Sequence, residues 1–191
     1  MGIIQLQPDE PFVFMKVGRH AGEDLGEILA RKQLELERAG VIFWGYGGRT
    51  MHPIQKVQPF VRSRIEHTGQ IKLLMQTILS RHPDTAAVAT EFSRDGVHWE
   101  PVPEGVEVRG SKYALVLGEI QSGDGMEVDF GAYKVGAGPS SGRAAGDYIK
   151  GRVDKGLLDP ATGEAVTGAP RVPIHYAAQM AEPYAVLLRS T

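Results

Sequence analysis

Residues 113–120 read YALVLGEI, with five apolar residues in unbroken succession at the start. A continuous apolar run of this length is a strand buried on both faces, not one with a wet side. Several other stretches read as strands. FVFMKV (12–17) is a first strand, VIFWGYGG (41–48) a second that ends near Tyr46, and AAVATEF (86–92) a third. RVPIHYAA (171–178) and YAVLLR (184–189) read as two closing strands split by QMAEP. LLDPATGEAV (157–166) reads as a hairpin turned at Asp159-Pro160 and Gly163. In MEVDFGAYKV (126–135) the alternation changes phase at Gly131-Ala132, which predicts a β-bulge. The prolines at 101 and 103 predict an extended edge that resists pairing.

Helical spacing is clearest in residues 21–40. Leu25, Ile28, Leu29 and Leu36 share one face and the charges fall on the others. Glu23 and Asp24 open this helix and Gly40 closes it. Ile71, Leu74, Met75, Ile78 and Leu79 also follow helical spacing, which predicts a helix over 69–82 stopped by Pro83. A third helix is predicted over 143–156, weakened by Gly146 and Gly151. The order β-α-β-α followed mostly by strands implies an α+β fold: a mixed or largely antiparallel sheet with two or three helices packed on it. At 191 residues the chain fits one domain, 1–191, large enough to bury a core unaided.

The absence of cysteine excludes disulfides, thiolate nucleophiles and cysteine-ligated metals. The six histidines form no H-x-x-x-H or H-E-x-x-H pair, so neither a metal nor a cofactor is expected. No apolar run approaches the roughly 18–20 residues of a membrane span. The first residues lack a secretory pattern, so a soluble cytoplasmic protein is expected.

Charge is unevenly spread. Residues 41–82 hold six bases (Arg49, Lys56, Arg62, Arg64, Lys72 and Arg81) against one acid, Glu66, a local +5 on a chain of net −2. The remainder therefore carries −7. A basic segment on an acidic protein is suited to an anionic partner. The segment begins with FWGYGGR (43–49), where Trp44 or Tyr46 could stack on a ligand while Arg49 and His52 neutralise it. Lys56, Arg62 and Arg64 extend the charge contacts, and arginine's planar fork matches phosphate and carboxylate oxygens. The plainer alternative is a buried strand whose aromatics all pack and whose glycines make a turn. A nucleotide-like ligand or an acidic macromolecular surface fits this segment. Nucleic acid is possible but less favoured at 7% aromatic content and net negative charge.

A second glycine loop, GAGPSSG (136–142), lies between a predicted strand and a predicted helix. Gly136, Gly138 and Gly142, with Ser140 and Ser141, could cradle a phosphate through backbone N–H groups. The spacing is one residue longer than the dinucleotide fingerprint, and Pro139 lacks an N–H. The expected function is thus a soluble, non-enzymatic binding protein whose 41–82 segment contacts an anionic partner. The alternative is an enzyme acting on a nucleotide or other phosphorylated molecule, with 136–142 as the cradle. The oligomeric state is open.

Overall fold

A computed structural model describes all residues except Met1, 48–51, Arg81, Pro83, Arg152 and Glu164. Five elements open the chain: β1 (Phe12–Val17), α1 (Leu25–Ala39), β2 (Ile42–Gly47), α2 (Ile54–Thr68) and β3 (Lys72–Thr77). Three strands follow: β4 (Glu91–Ser93), β5 (Glu100–Pro101) and β6 (Tyr113–Ser122). Then come β7 (Glu127–Asp129), a 3-10 turn (Phe130–Ala132), β8 (Tyr133–Val135) and α3 (Ala145–Tyr148). β9 (Lys155–Pro160), β10 (Arg171–Pro173) and β11 (Tyr176–Arg189) close the chain. The fold is α+β, as expected: three helices and a mixed sheet of nine strands, with β7 and β10 paired separately among the described residues.

The residues cluster into two units that the chain enters repeatedly. The first comprises Met1–Val17, Pro59–Thr77 and Gln121–Gln179; the second comprises Gly18–Gln58, Ile78–Ile120 and Met180–Thr191. In the first unit β1 lies parallel to β3 and antiparallel to β9. β8 continues the sheet beyond β9, and the start of β11 pairs with β3 on the other side. Phe12 meets Tyr133 edge-on at 4.9 Å and Phe14 meets Phe130 at 5.3 Å, so one core cluster is built on this face of β1, while Val13 is buried on the other. In the second unit β2 pairs with β6, and the end of β11 pairs with β4, which carries the two-residue β5 on its far side. Phe43 and Phe92 meet at 5.2 Å in its core.

The boundaries of α1 match the sequence signals. Asp24 and Glu27 form a reciprocal capping box, and Gly40 stands at φ 70°, the left-handed position that glycine occupies without strain.

The predicted helix over 69–82 is instead strand β3, and the helix lies one segment earlier, at α2. Gly69, at φ 74°, donates to the Ile65 carbonyl and so ends a helix where it was expected to begin one. In α2, Ile54, Val57, Phe60 and Val61 carry the buried stripe, interrupted in the sequence by Pro59.

Four smaller expectations are also corrected. The third helix is four residues long, because the chain leaves helical geometry at Ile149 and reaches β9 by Lys155. The predicted hairpin at 157–166 does not form: β9 pairs with β1 and β8, and β10 pairs with β7. QMAEP does not split the last strands but runs within β11. The phase change at Gly131 arises from the 3-10 turn, which lets β7 and β8 join different partners. The prolines do mark an edge, although Pro101 pairs with Glu91 on one side.

Candidate functional site

The aromatics of FWGYGGR are packed. Phe43, Trp44 and Tyr46 are all buried in β2, so neither Trp44 nor Tyr46 presents an open ring face. The glycines serve close approach. A Cβ on Gly45 would run into the Ser111 hydroxyl, and one on Gly47 would press on the Tyr113 ring and the His52 carbonyl. The Tyr113 hydroxyl donates to that same carbonyl, and the His52 ring stands edge-on to Tyr46 at 6.3 Å. Burial pushes the Tyr113 phenol well above its ordinary pKa. Gly48 and Arg49 lie outside the described residues.

The bases of residues 41–82 have separate fates. Lys72 is buried and bonds the Glu10 carboxylate at 2.5 Å. Arg64 forks onto Asp159 at 2.8 and 2.5 Å, donates to the Gly136 carbonyl at 3.3 Å, and lies 4.4 Å over the Phe60 ring. Lys56 is half-buried and Arg62 exposed on α2. Along a helix, Lys56 and Arg62 stand about 120° apart, and Arg62 and Arg64 about 160°. Arg81 lies outside the described residues. Two of the four described bases are therefore committed to carboxylates of their own unit. Arg64 acts as an internal brace: replacing it with alanine is expected to lower the unfolding free energy by about 1–3 kcal/mol, as for hydrogen bonds to charged groups. Lysine should not restore the loss, since it cannot fork. Urea denaturation of the two variants reads this directly.

Three of the six backbone N–H groups of the loop at 136–142 are engaged by carbonyls of the same unit. Gly142 N–H donates to Val135 at 2.7 Å, Ser141 N–H to Gly138 at 3.1 Å, and Gly136 N–H to Leu157 at 2.8 Å. Val135 in turn donates to Arg143, closing a small hairpin. The helix that follows has a single turn. A Cβ on Gly136 would strike the Asp159 carboxylate, so this glycine makes room for the Arg64–Asp159 pair. Gly138 and Gly142, at φ 81° and 87°, make the turn itself. Ser140 and Ser141 lie on its outside, half-buried and exposed.

The second unit holds a cavity of about 650 Å³. Its wall takes Pro53, Ile54 and Gln55 from the start of α2, Trp99 from the loop before β5, Lys112 from the entry to β6, and Arg189 from the end of β11. Arg189 is fixed twice: its Nε donates to Glu91 at 2.6 Å, and its guanidinium lies 4.2 Å over the Trp99 ring. The β4–β11 register places Arg189 opposite Glu91. Lys112 is exposed, and among the described residues its ammonium meets no carboxylate. Trp99, Lys112 and Arg189 carry no local motif. They lie far apart in the chain and are collected only by strand pairing, so no local pattern announces them.

A buried polar network on α1 is the other arrangement that sequence patterning missed. Lys32 and Glu35 are almost fully buried. Lys32 donates to both Glu35 oxygens at 2.9 and 3.0 Å, to the Phe43 carbonyl at 2.6 Å and to the Glu107 carbonyl at 2.7 Å. Arg31 bridges Glu23, Glu35 and the Glu107 carbonyl, and Glu35 also accepts from the Glu107 N–H. Every donor of the Lys32 ammonium is engaged by protein, which makes this a clamp joining α1, β2 and the 107 segment.

Comparison with known proteins returns no matching family model, no matching curated protein and no matching solved structure. No described helix is long and apolar enough to cross a membrane, and no described cluster of three or more histidine or acidic side chains could hold a metal ion.

Proposed function

We propose that the chain is a non-enzymatic binding protein for an anion, and that the anion is a small molecule seated in the second unit's cavity. The observation that carries this reading is one concave wall bearing Lys112, Arg189 and Trp99, with no acid offsetting Lys112 among the described residues. Its volume falls in the range of about 300–1,000 Å³ typical of ligand sites. The 41–82 segment contributes through Pro53, Ile54 and Gln55 rather than through its bases. The reading with 136–142 as a phosphate cradle draws less support, because half of the loop's N–H groups are already engaged and the helix that follows has a single turn.

Small anions should raise the melting temperature of the wild type, by mass action equivalent to about 2.7 kcal/mol at a hundredfold excess over Kd. Lys112→Glu, at an exposed position, should leave the apparent melting temperature of the free protein unchanged and abolish the ligand-induced shift. Differential scanning fluorimetry with a panel of organic acids and phosphates measures both. An equal shift in Lys112→Glu would remove the cavity from the function.

A further inference from the structure

We infer that the cavity's ligand is a monocarboxylate with an apolar body, not a phosphorylated or polyhydroxylated molecule. This inference rests on the reading above and narrows it. Two observations carry it: the charge balance of the wall and the count of polar groups still available on it.

The charge balance is simple. Arg189 is matched by Glu91 at 2.6 Å, so that pair sums to zero. Among the described residues Lys112 is left with a single uncompensated positive charge. One net charge complements a carboxylate. A phosphate monoester carries close to two negative charges at neutral pH and would leave one of them unmatched. Arg189 still contributes geometry. Glu91 engages its Nε, while its two Nη groups make no other hydrogen bond among the described residues. Held between Glu91 and the Trp99 ring, the fork can donate to a second carboxylate without reorganising.

The polar inventory points the same way. The Tyr113 hydroxyl is spent on the His52 carbonyl and the Ser190 hydroxyl on the Val88 carbonyl. Beyond Lys112 and Arg189, the side-chain donors left on the wall are the Gln55 amide and the Trp99 indole N–H, neither of them hydrogen-bonded among the described residues. A nucleotide or sugar phosphate brings a ribose or a polyol whose hydroxyls need partners on burial, and each one left unmade costs affinity. Pro53, Ile54, Leu187 and the ring carbons of Trp99 offer apolar surface. That surface fits an aryl or branched aliphatic body with its charge at one end.

The test titrates phenylacetate, octanoate, phenylacetamide, phenyl phosphate and AMP into wild type and Lys112→Met, by calorimetry and by melting temperature. The expected result is that at least one of the two acids binds the wild type at least tenfold more tightly than phenylacetamide, phenyl phosphate or AMP, and loses at least tenfold in Lys112→Met. Tighter binding of phenyl phosphate or AMP, still lost in Lys112→Met, overturns the carboxylate assignment while leaving the anion cavity standing. Binding by none of the five, or binding that Lys112→Met does not change, overturns both.

Discussion

Replacing Glu35 with alanine is expected to cost the folded state about 3–5 kcal/mol, the loss that follows when one partner of a buried ion pair is removed. The side chain is fully buried and accepts from Arg31, Lys32 and the Glu107 N–H. Truncation leaves the Lys32 ammonium in an apolar interior with two carbonyls but no counter-charge. Lys32→Met is also destabilising, because it takes a charged donor from the Phe43 and Glu107 carbonyls and leaves Glu35 with Arg31 and the Glu107 N–H. The two losses are not independent. The double variant Lys32→Met/Glu35→Leu should cost less than the sum of its singles, and a double-mutant cycle in urea measures that coupling.

The clamp also has a pH signature. Burial pushes the Lys32 ammonium down to about 8 from the ordinary lysine value of 10.5, against the pull of Glu35. Between those pH values the unfolded chain holds a proton that the folded chain has released, so rising pH favours the folded state. Wild type should therefore gain stability relative to Lys32→Met as pH rises from about 8 to 10.5, and lose that gain as pH falls back through 8. A flat difference across that window would show that the ammonium stays charged in the fold.

α1 shows what was legible in the chain and what was not. Its ends are written in local chemistry, since the capping box at Asp24 and Glu27 and the left-handed Gly40 need only their neighbours. Its inner face is not written the same way. Ile28, Lys32 and Glu35 follow i, i+4, i+7 spacing and share the buried stripe, yet two of the three are charged. A pattern that assigns charge to solvent turns them outward. The opposite charges three residues apart beside Ile28 were the available clue, but their partners, Phe43 and Glu107, belong to distant segments. The cavity was illegible for a related reason. Glu91, Trp99, Lys112 and Arg189 come from four stretches, and the register that seats Arg189 against Glu91 joins residues 98 apart. The basic segment was visible as composition, but composition does not register that Asp159 and Glu10 were waiting for Arg64 and Lys72.

Alanine at Leu73 and alanine at Leu74 should each cost about 2–5 kcal/mol, the range for large-to-small changes in a packed core. Both side chains are fully buried although they point to opposite faces of β3. The strand explains this: Leu73 sits opposite Val13 and Leu74 opposite Phe14 on β1, while the start of β11 closes the other edge. A helix over 69–82 would bury Ile71, Leu74, Met75, Ile78 and Leu79 and turn Leu73 outward. The two geometries therefore disagree most at positions 73 and 79. Leu79 is fully exposed, at 104% of the reference accessibility, so Leu79→Ser should fall within about 0.5 kcal/mol of wild type. Both periods matched the apolar residues, and length decides between them. Ile71 to Met75 is buried without a break over too few residues for a helix, and Gly69 has just ended one. Urea denaturation of Leu73→Ala and Leu79→Ser separates the cases: a near-neutral Leu73→Ala beside a costly Leu79→Ser would return the segment to a helix. The opposite order, a loss of several kcal/mol at 73 and none at 79, is what a strand enclosed on both faces requires.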